Sequence, residues 1–226
     1  MPVSRELLAD PVLDVAPQLL GMVLRRTTPE GTVAVRLTEV EAYDGPNDPG
    51  SHAFRGQTPR NAVMFGPPGH LYVYFTYGMH FCMNISAGPD GQPSAILLRA
   101  GEIIEGVDLA RKRRGMPDSP VAKFNEAAGV LPGRKRIQIP ANPDRDLARG
   151  PARMCVALGI DREDDGTDLL ARDSSIQLLP GPGFEGEPAT GPRVGLREAA
   201  DWNWRFWIPG DPTVSPYRPH VPKRRG

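Results

Sequence analysis

At 226 residues the chain can build one sizeable core, and its 27 basic side chains cancel its 27 acidic ones, which excludes a protein that binds polyanions through net charge alone. The two cysteines, Cys82 and Cys155, lie in separate apolar runs without metal-ligand spacing, which excludes a disulfide scaffold or a cysteine zinc site and predicts buried free thiols in a reducing compartment. With 25 glycines and 26 prolines the fold must be rich in turns and long connections.

Charge is segregated along the chain. Arg99 to Arg153 carries twelve Lys or Arg against seven Asp or Glu, whereas Cys155 to Gly191 carries two against eight. That pattern suits a basic face docking on a polyanion, and equally a solvated basic loop. No basic-then-apolar leader opens the chain, and no apolar run approaches the ~20 residues that cross a bilayer. The expectation is a cytoplasmic monomer, nucleoid-associated if bacterial, with no membrane partner.

The first element read is a helix over Asp14–Leu20, with Asp14 as N-cap, Pro17 in the first turn and Gly21 as stop. Met22–Arg26 is a strand, and the turn at 29–31 returns the chain along a second strand from Thr32 to Tyr43. Val33, Val35 and Leu37 alternate with polar residues there, and the same face is expected to continue through Glu39, Glu41 and Tyr43. An acid at the rim of a core is placed where its surroundings can tune it for proton transfer. The polar loop that follows carries His52, Arg55 and Arg60, and such loops commonly mount functional groups on a rigid strand.

Leu71–Ile85 reads as strand, turn at Gly78, and strand. Tyr72, Tyr74 and Tyr77 serve either as core packing with satisfied hydroxyls or as stacking platforms for planar bases. Asn84 is polar inside an apolar run and needs a partner in protein or ligand. Ala95–Leu98 is a strand closed by Arg99, and Ile103–Arg113 a helix with a basic last turn. Residues 115–148, with no sustained periodicity, are expected to form a mobile surface excursion. Arg149-Gly150-Pro151-Ala152-Arg153 opens a helix, Ala152–Leu158, stopped by Gly159, whose N-terminus between two arginines suits an anion. Ile176–Leu179 and Trp204–Ile208 are strands, and the basic tail 216–226 is expected to fray. The expected fold class is α+β: a single domain, 1–226, on a curved antiparallel sheet with short peripheral helices and long loops. A metal-dependent hydrolase using Glu41, Asp44, Asp48 and His52 would rest on one histidine with loosely spaced acids, a poor ligand set, so neither metal nor cofactor is expected.

Several segments resemble the alkyladenine (3-methyladenine) DNA glycosylase family in order from about Leu7 to Ser215. They are Glu41-Ala42-Tyr43, His52, Gln57–Asn61, Leu71–Tyr74, Tyr77–Met79, Phe81–Ser86, Leu97–Ala100, Gly150-Pro151, Arg193–Gly195 and Arg205-Phe206. The resemblance implies an enzyme that flips damaged purines out of duplex DNA and hydrolyses the N-glycosidic bond without a Schiff base. It implies Glu41 as general base and Arg99 as the group holding the water and the flipped nucleotide. Tyr43, His52 and Tyr74 become the base pocket, and Asn84 the screen against guanine. Tyr77 and Met64 become the DNA-intercalating wedge, and Arg55, Arg60, Arg149, Arg153 and Arg193 backbone contacts. A non-catalytic damage-binding protein is the alternative. His80, where relatives often carry an aromatic, and Arg153, where a lysine is common, depart from the pattern.

Overall fold

The computed structural model describes residues 3–76, 78–116 and 144–220. Among them eight strands form one antiparallel sheet: β1 Val23–Thr28, β2 Gly31–Tyr43, β3 Leu71–Thr76, β4 His80–Ala87, β5 Ser94–Glu105, β6 Ile176–Leu179, β7 Ala189–Gly191 and β8 Arg205–Trp207. The order is β3-β4-β5-β2-β1-β6, with β8 taking up β2 beyond the end of β1 and β7 pairing β8. Among the described residues four short α-helices lie around the sheet: α1 Arg5–Leu8, α2 Val12–Gln18, α3 Val107–Arg113 and α4 Pro151–Leu158. The expected α+β class with a curved antiparallel sheet holds.

β2 is the spine, paired with β5 along one edge and with β1 and then β8 along the other. Its register with β5 shifts three times, once between Ala34 and Val35 and twice at mid-strand. Leu37 faces Gly101 and Glu39 faces Ala100, so Thr38 is surplus on β2; Val40 then faces Leu98, so Arg99 is surplus on β5. Such bulges bend and twist a sheet and re-aim side chains.

They also exchange the two faces of β2. Before the bulge the core takes Val33, Val35 and Leu37, and after it Val40 and Ala42. A shift of one residue sends a strand's alternation to the opposite face. The reading that one face runs unbroken from Val33 to Tyr43 is therefore corrected: Glu39 and Glu41 turn away from the apolar core, yet both remain 0% exposed.

Two helix readings also change. α2 begins at Val12 behind Pro11, so Asp14 lies in the first turn, where it meets the positive end of the dipole, and Pro17 falls near the end. β5 runs on through Ile103 to Glu105, and α3 starts only after Gly106. Gly106 has φ +73°, and a Cβ there would sit 2.0 Å from the Thr32 carbonyl oxygen, so no helix can pass through it.

Residues 117–143, most of the expected excursion, lie outside the described residues. Its end is no surface loop: Leu147 and Ala148 are fully buried, and Asp144 takes the Arg111 guanidinium in two hydrogen bonds of 2.6 and 2.7 Å. Of the tail, residues 221–226 lie outside the described residues, while the Arg218 carbonyl accepts from the Gly195 N–H at 3.1 Å. No described helix is long and apolar enough to cross a membrane.

Candidate active site

A cavity of about 360 Å³ opens between the end of β2, the 50–64 segment, the β3–β4 hairpin, β5 and the 194–196 segment. That size falls in the range of sites that hold small organic groups. Its walls include Tyr43, His52, Tyr74, Asn84 and Arg99, so the structure brings together residues drawn from four separated stretches of sequence.

Glu41 lies directly behind this wall. Its Oε1 accepts from the Val194 N–H at 2.7 Å and lies 3.3 Å from an Arg99 Nη, and its Oε2 accepts from the Tyr43 hydroxyl at 2.8 Å. All three donors line the cavity. Oε1 thus takes one hydrogen bond and the Arg99 charge, while Oε2 takes the Tyr43 hydroxyl alone among the described residues, which leaves it a lone pair. Burial first, then the Glu41 charge, pushes the Tyr43 phenol well above its ordinary value, so it stays a donor. Burial works against the Arg99 charge, but Glu41 and Glu39 outweigh it and raise its pKa.

The opposite wall is aromatic. His52 meets Tyr74 edge-on with centroids 4.6 Å apart, and Tyr72 and Tyr74 lie 5.6 Å apart. His52 Nδ1 is 2.9 Å from the Tyr72 hydroxyl. The residue counts as exposed because it fronts the open cavity, but its ring is crowded by two tyrosines and faces Arg60. Desolvation first, and the Arg60 charge second, lower its pKa to about 4, which leaves a neutral imidazole at physiological pH. Burial likewise raises Tyr72 to about 12 and Tyr74 well above its ordinary value, so the wall is neutral and electron-rich. The Cys82 thiol is pushed up by burial beside Tyr74.

Asn84 is buried and donates to the Tyr72 carbonyl at 3.2 Å, which leaves its own side-chain carbonyl without a partner among the described residues. It is on β4 opposite Tyr72, held there by the antiparallel register.

The remaining residues are placed as follows. Met64 is not a protruding wedge: it is 2% exposed, packed with Ala53, Tyr72 and Ala95 beneath the cavity, because the short 3-10 turn Ala62–Phe65 folds it inward. Tyr77 lies outside the described residues. At the hairpin tip Met79 is 68% exposed, the most exposed large apolar residue among those described. Arg55 is exposed, and Arg60 is exposed with its guanidinium 5.4 Å from the Tyr74 ring centroid. Arg153 is exposed on the first turn of α4, and Arg149 is half-buried, donating to the Val214 carbonyl at 2.8 Å.

Arg193 is a correction. Its side chain is fully buried, forked onto Asp48 with Nη2 at 2.8 Å from Oδ1, donating to the Ala42 carbonyl at 2.9 Å and stacked near Tyr43 and Trp204. A guanidinium so engaged has no surface from which to meet a phosphate. It anchors the segment whose next residue, Val194, donates to Glu41.

Sequence reasoning missed this Val194 contact and a second layer behind the first, the Glu39–Arg205 ion pair with Ser215 donating to Glu39. The alternation puts Glu39 beside Glu41 and so carried a signal for one of them. A backbone N–H carries no side-chain signal at all.

The methylpurine-DNA glycosylase family model matches residues 6–212. The chain is 54% identical over 227 residues to a protein from Streptomyces avermitilis, covering 99% of this chain and 95% of the relative. It is 53% identical over 212 residues to one from Leifsonia xyli subsp. xyli (92% and 89%), and 44% over 203 residues to one from Burkholderia lata (89% and 85%). All three relatives bear the provisional name 3-methyladenine DNA glycosylase. The chain therefore belongs to the methylpurine-DNA glycosylase family, enzymes that hydrolyse N-glycosidic bonds.

Proposed function

We propose that this protein is a monofunctional glycosylase of duplex DNA, acting as a monomer at the nucleoid with residues 1–226 as one unit and no cofactor. It takes an alkylated or deaminated purine nucleotide out of the helix into the aromatic cavity, hydrolyses the bond between base and sugar, and leaves an abasic site. The observation that carries this reading is the carboxylate of Glu41, set behind an aromatic cavity by three donors that all line it.

The chemistry follows from the groups present. The free lone pair of Glu41 Oε2 takes a proton from water, the resulting hydroxide attacks the sugar C1′, and the bond electrons leave with the purine. A methylated purine carries positive charge that this electron pair cancels, so no protein acid is needed for its departure. The same charge draws it to the neutral faces of Tyr74 and Tyr43 by ~0.5–2 kcal/mol. Arg99 lies at the cavity where it holds the water and the flipped nucleotide. Asn84, its amide held on the Tyr72 carbonyl, screens normal guanine by crowding its exocyclic amine, a cost that the positive charge of a 7-methylated base offsets.

Extrusion costs a few kcal/mol, offset by stacking and by an apolar wedge, for which Tyr77 and the exposed Met79 at the β3–β4 tip serve. Arg55, Arg60, Arg149 and Arg153 contact phosphates. Lys112, the only lysine among the described residues, is on α3 paired with Glu30 at 3.0 Å, and a Schiff base is not part of this scheme.

Single-turnover base release from a duplex carrying 7-methylguanine or hypoxanthine tests this. Wild type is expected to give strand breaks only after alkali, and Glu41→Gln to bind the lesion with its rate lowered roughly 10²–10⁴-fold. Binding without release by wild type supports the damage-binding alternative, and breaks without alkali refute the monofunctional scheme.

A further inference from the structure

Behind the active-site carboxylate lies a second, fully buried one. Glu39 Oε1 accepts from Arg99 Nε at 3.0 Å, from the Ser215 hydroxyl at 3.0 Å and from an Arg205 Nη at 3.3 Å, and its Oε2 accepts from the Ser215 N–H at 2.6 Å. No atom of Glu39 is exposed, and Glu39 does not line the cavity. A buried carboxylate with a full set of charged and neutral donors is costly to keep. Apolar packing would serve stability equally well at such a position, so its retention asks for another explanation.

The Arg99 guanidinium supplies one. Its Nε is taken by Glu39, one Nη by the Ser215 hydroxyl at 3.2 Å, and the other Nη faces Glu41 at 3.3 Å. A planar fork fixed at two of its three corners cannot rotate, so the third is aimed. Arg99 is also the surplus residue of the β5 bulge, where the ladder does not fix side-chain direction, and Glu39 does so instead.

Charge is the second part. Two carboxylates, Glu39 and Glu41, face two guanidiniums, Arg99 and Arg205, in one buried group. The other titratable or charged groups around Glu41 are Tyr43 on β2, Tyr74 and Cys82 on the β3–β4 hairpin, and Arg193, which is committed to Asp48. Without Glu39, Arg205 would be left unpaired behind Arg99, and the buried group would hold two cations and one anion, Glu41.

We propose that Glu39 is a positioning residue of this site: it aims Arg99 at Glu41 and, by offsetting Arg205, keeps Glu41 able to accept a proton from water. This rests on the reading of Glu41 as the base.

The experiment is the pH dependence of single-turnover base release, with enzyme in excess so that the rate constant is independent of the folded fraction. The substrate is 7-methylguanine in duplex DNA, whose fixed charge does not titrate. Glu39→Gln is expected to lower the plateau rate roughly tenfold to a hundredfold. It should also move the acid limb to lower pH, since the buried group then holds two arginines and one carboxylate. Arg205→Gln, with two carboxylates facing one arginine, should move the limb to higher pH, and the charge-balanced double variant should restore its wild-type position. Opposite movements in the two single variants, or either one where only one folds, support the proposal. A limb fixed at the wild-type pH, with only thermal stability or amplitude lowered, overturns it. Failure of the Glu41 reading would show separately, as a Glu41→Gln enzyme that retains its rate.

Discussion

His52 shows how a side chain's surroundings set its chemistry. An imidazole left in water would be partly charged near neutrality, but here two tyrosines and Arg60 hold it neutral down to about pH 4. Because the folded form binds the proton less readily than the unfolded form, with its ordinary value of 6.5, this residue's contribution to stability is present above 6.5 and is lost as pH falls from 6.5 towards about 4. NMR titration of the imidazole should show its charging midpoint at about 4 rather than 6.5. Arg60→Gln removes the lesser of the two causes and should raise the midpoint; a midpoint that does not move would refute the assigned role of Arg60. The same residue-scale logic separates the arginines. Arg60 stands at the cavity mouth, Arg153 is open to solvent, and Arg193 is spent inside the protein.

The mid-strand bulges of β2 and β5 are the decisive feature among the elements. They let one strand contribute Val33, Val35 and Leu37 to the core and then present Glu39, Glu41 and Tyr43 to the opposite side without leaving the sheet. A strand of strict alternation would have driven the two carboxylates into the apolar core, at a cost of several kcal/mol for each unpaired charge. Gly106 closes β5 with similar economy of means, turning the chain in the left-handed region where the Thr32 carbonyl leaves no room for a side chain. Gly106→Ala should therefore cost more than the ~1 kcal/mol of an ordinary loop Gly→Ala change. Urea unfolding measures this, and an unchanged midpoint would show that the backbone there relaxes freely.

For the whole molecule, the zero net charge leaves DNA affinity to the local placement of arginines. Each phosphate contact contributes about 0.9 to the slope of log affinity against log salt on duplex DNA. Arg153→Gln should lower that slope by about one and weaken lesion-bearing and undamaged duplex alike. A change confined to lesion-bearing duplex would place Arg153 in recognition of the base. The C-terminal segment also acts at this scale. It brings Val214 to Arg149, Ser215 to Glu39 and Arg218 to Gly195, so residues near the end of the chain close the active site from behind.

Strand periodicity, glycine and proline punctuation and the order of short motifs made the α+β class, the β1–β2 hairpin, the β3–β4 hairpin and the residues of the aromatic cavity legible, because those signals are local or lie in register along the chain. Bulges are not local: Thr38 and Arg99 become surplus only when β2 and β5 are laid side by side, so the reversal of faces at Leu37 could not be read from either strand. Met64 and Arg193 failed for the same reason. An apolar residue before a turn and an arginine in a loop look exposed, and only Tyr72 above the one and Asp48 beside the other explain their burial. The sequence by itself determined which chemical groups this protein has. Tertiary structure decided which of them share a low-dielectric chamber, because burial, bulge register and charge balance arise between segments far apart in the chain.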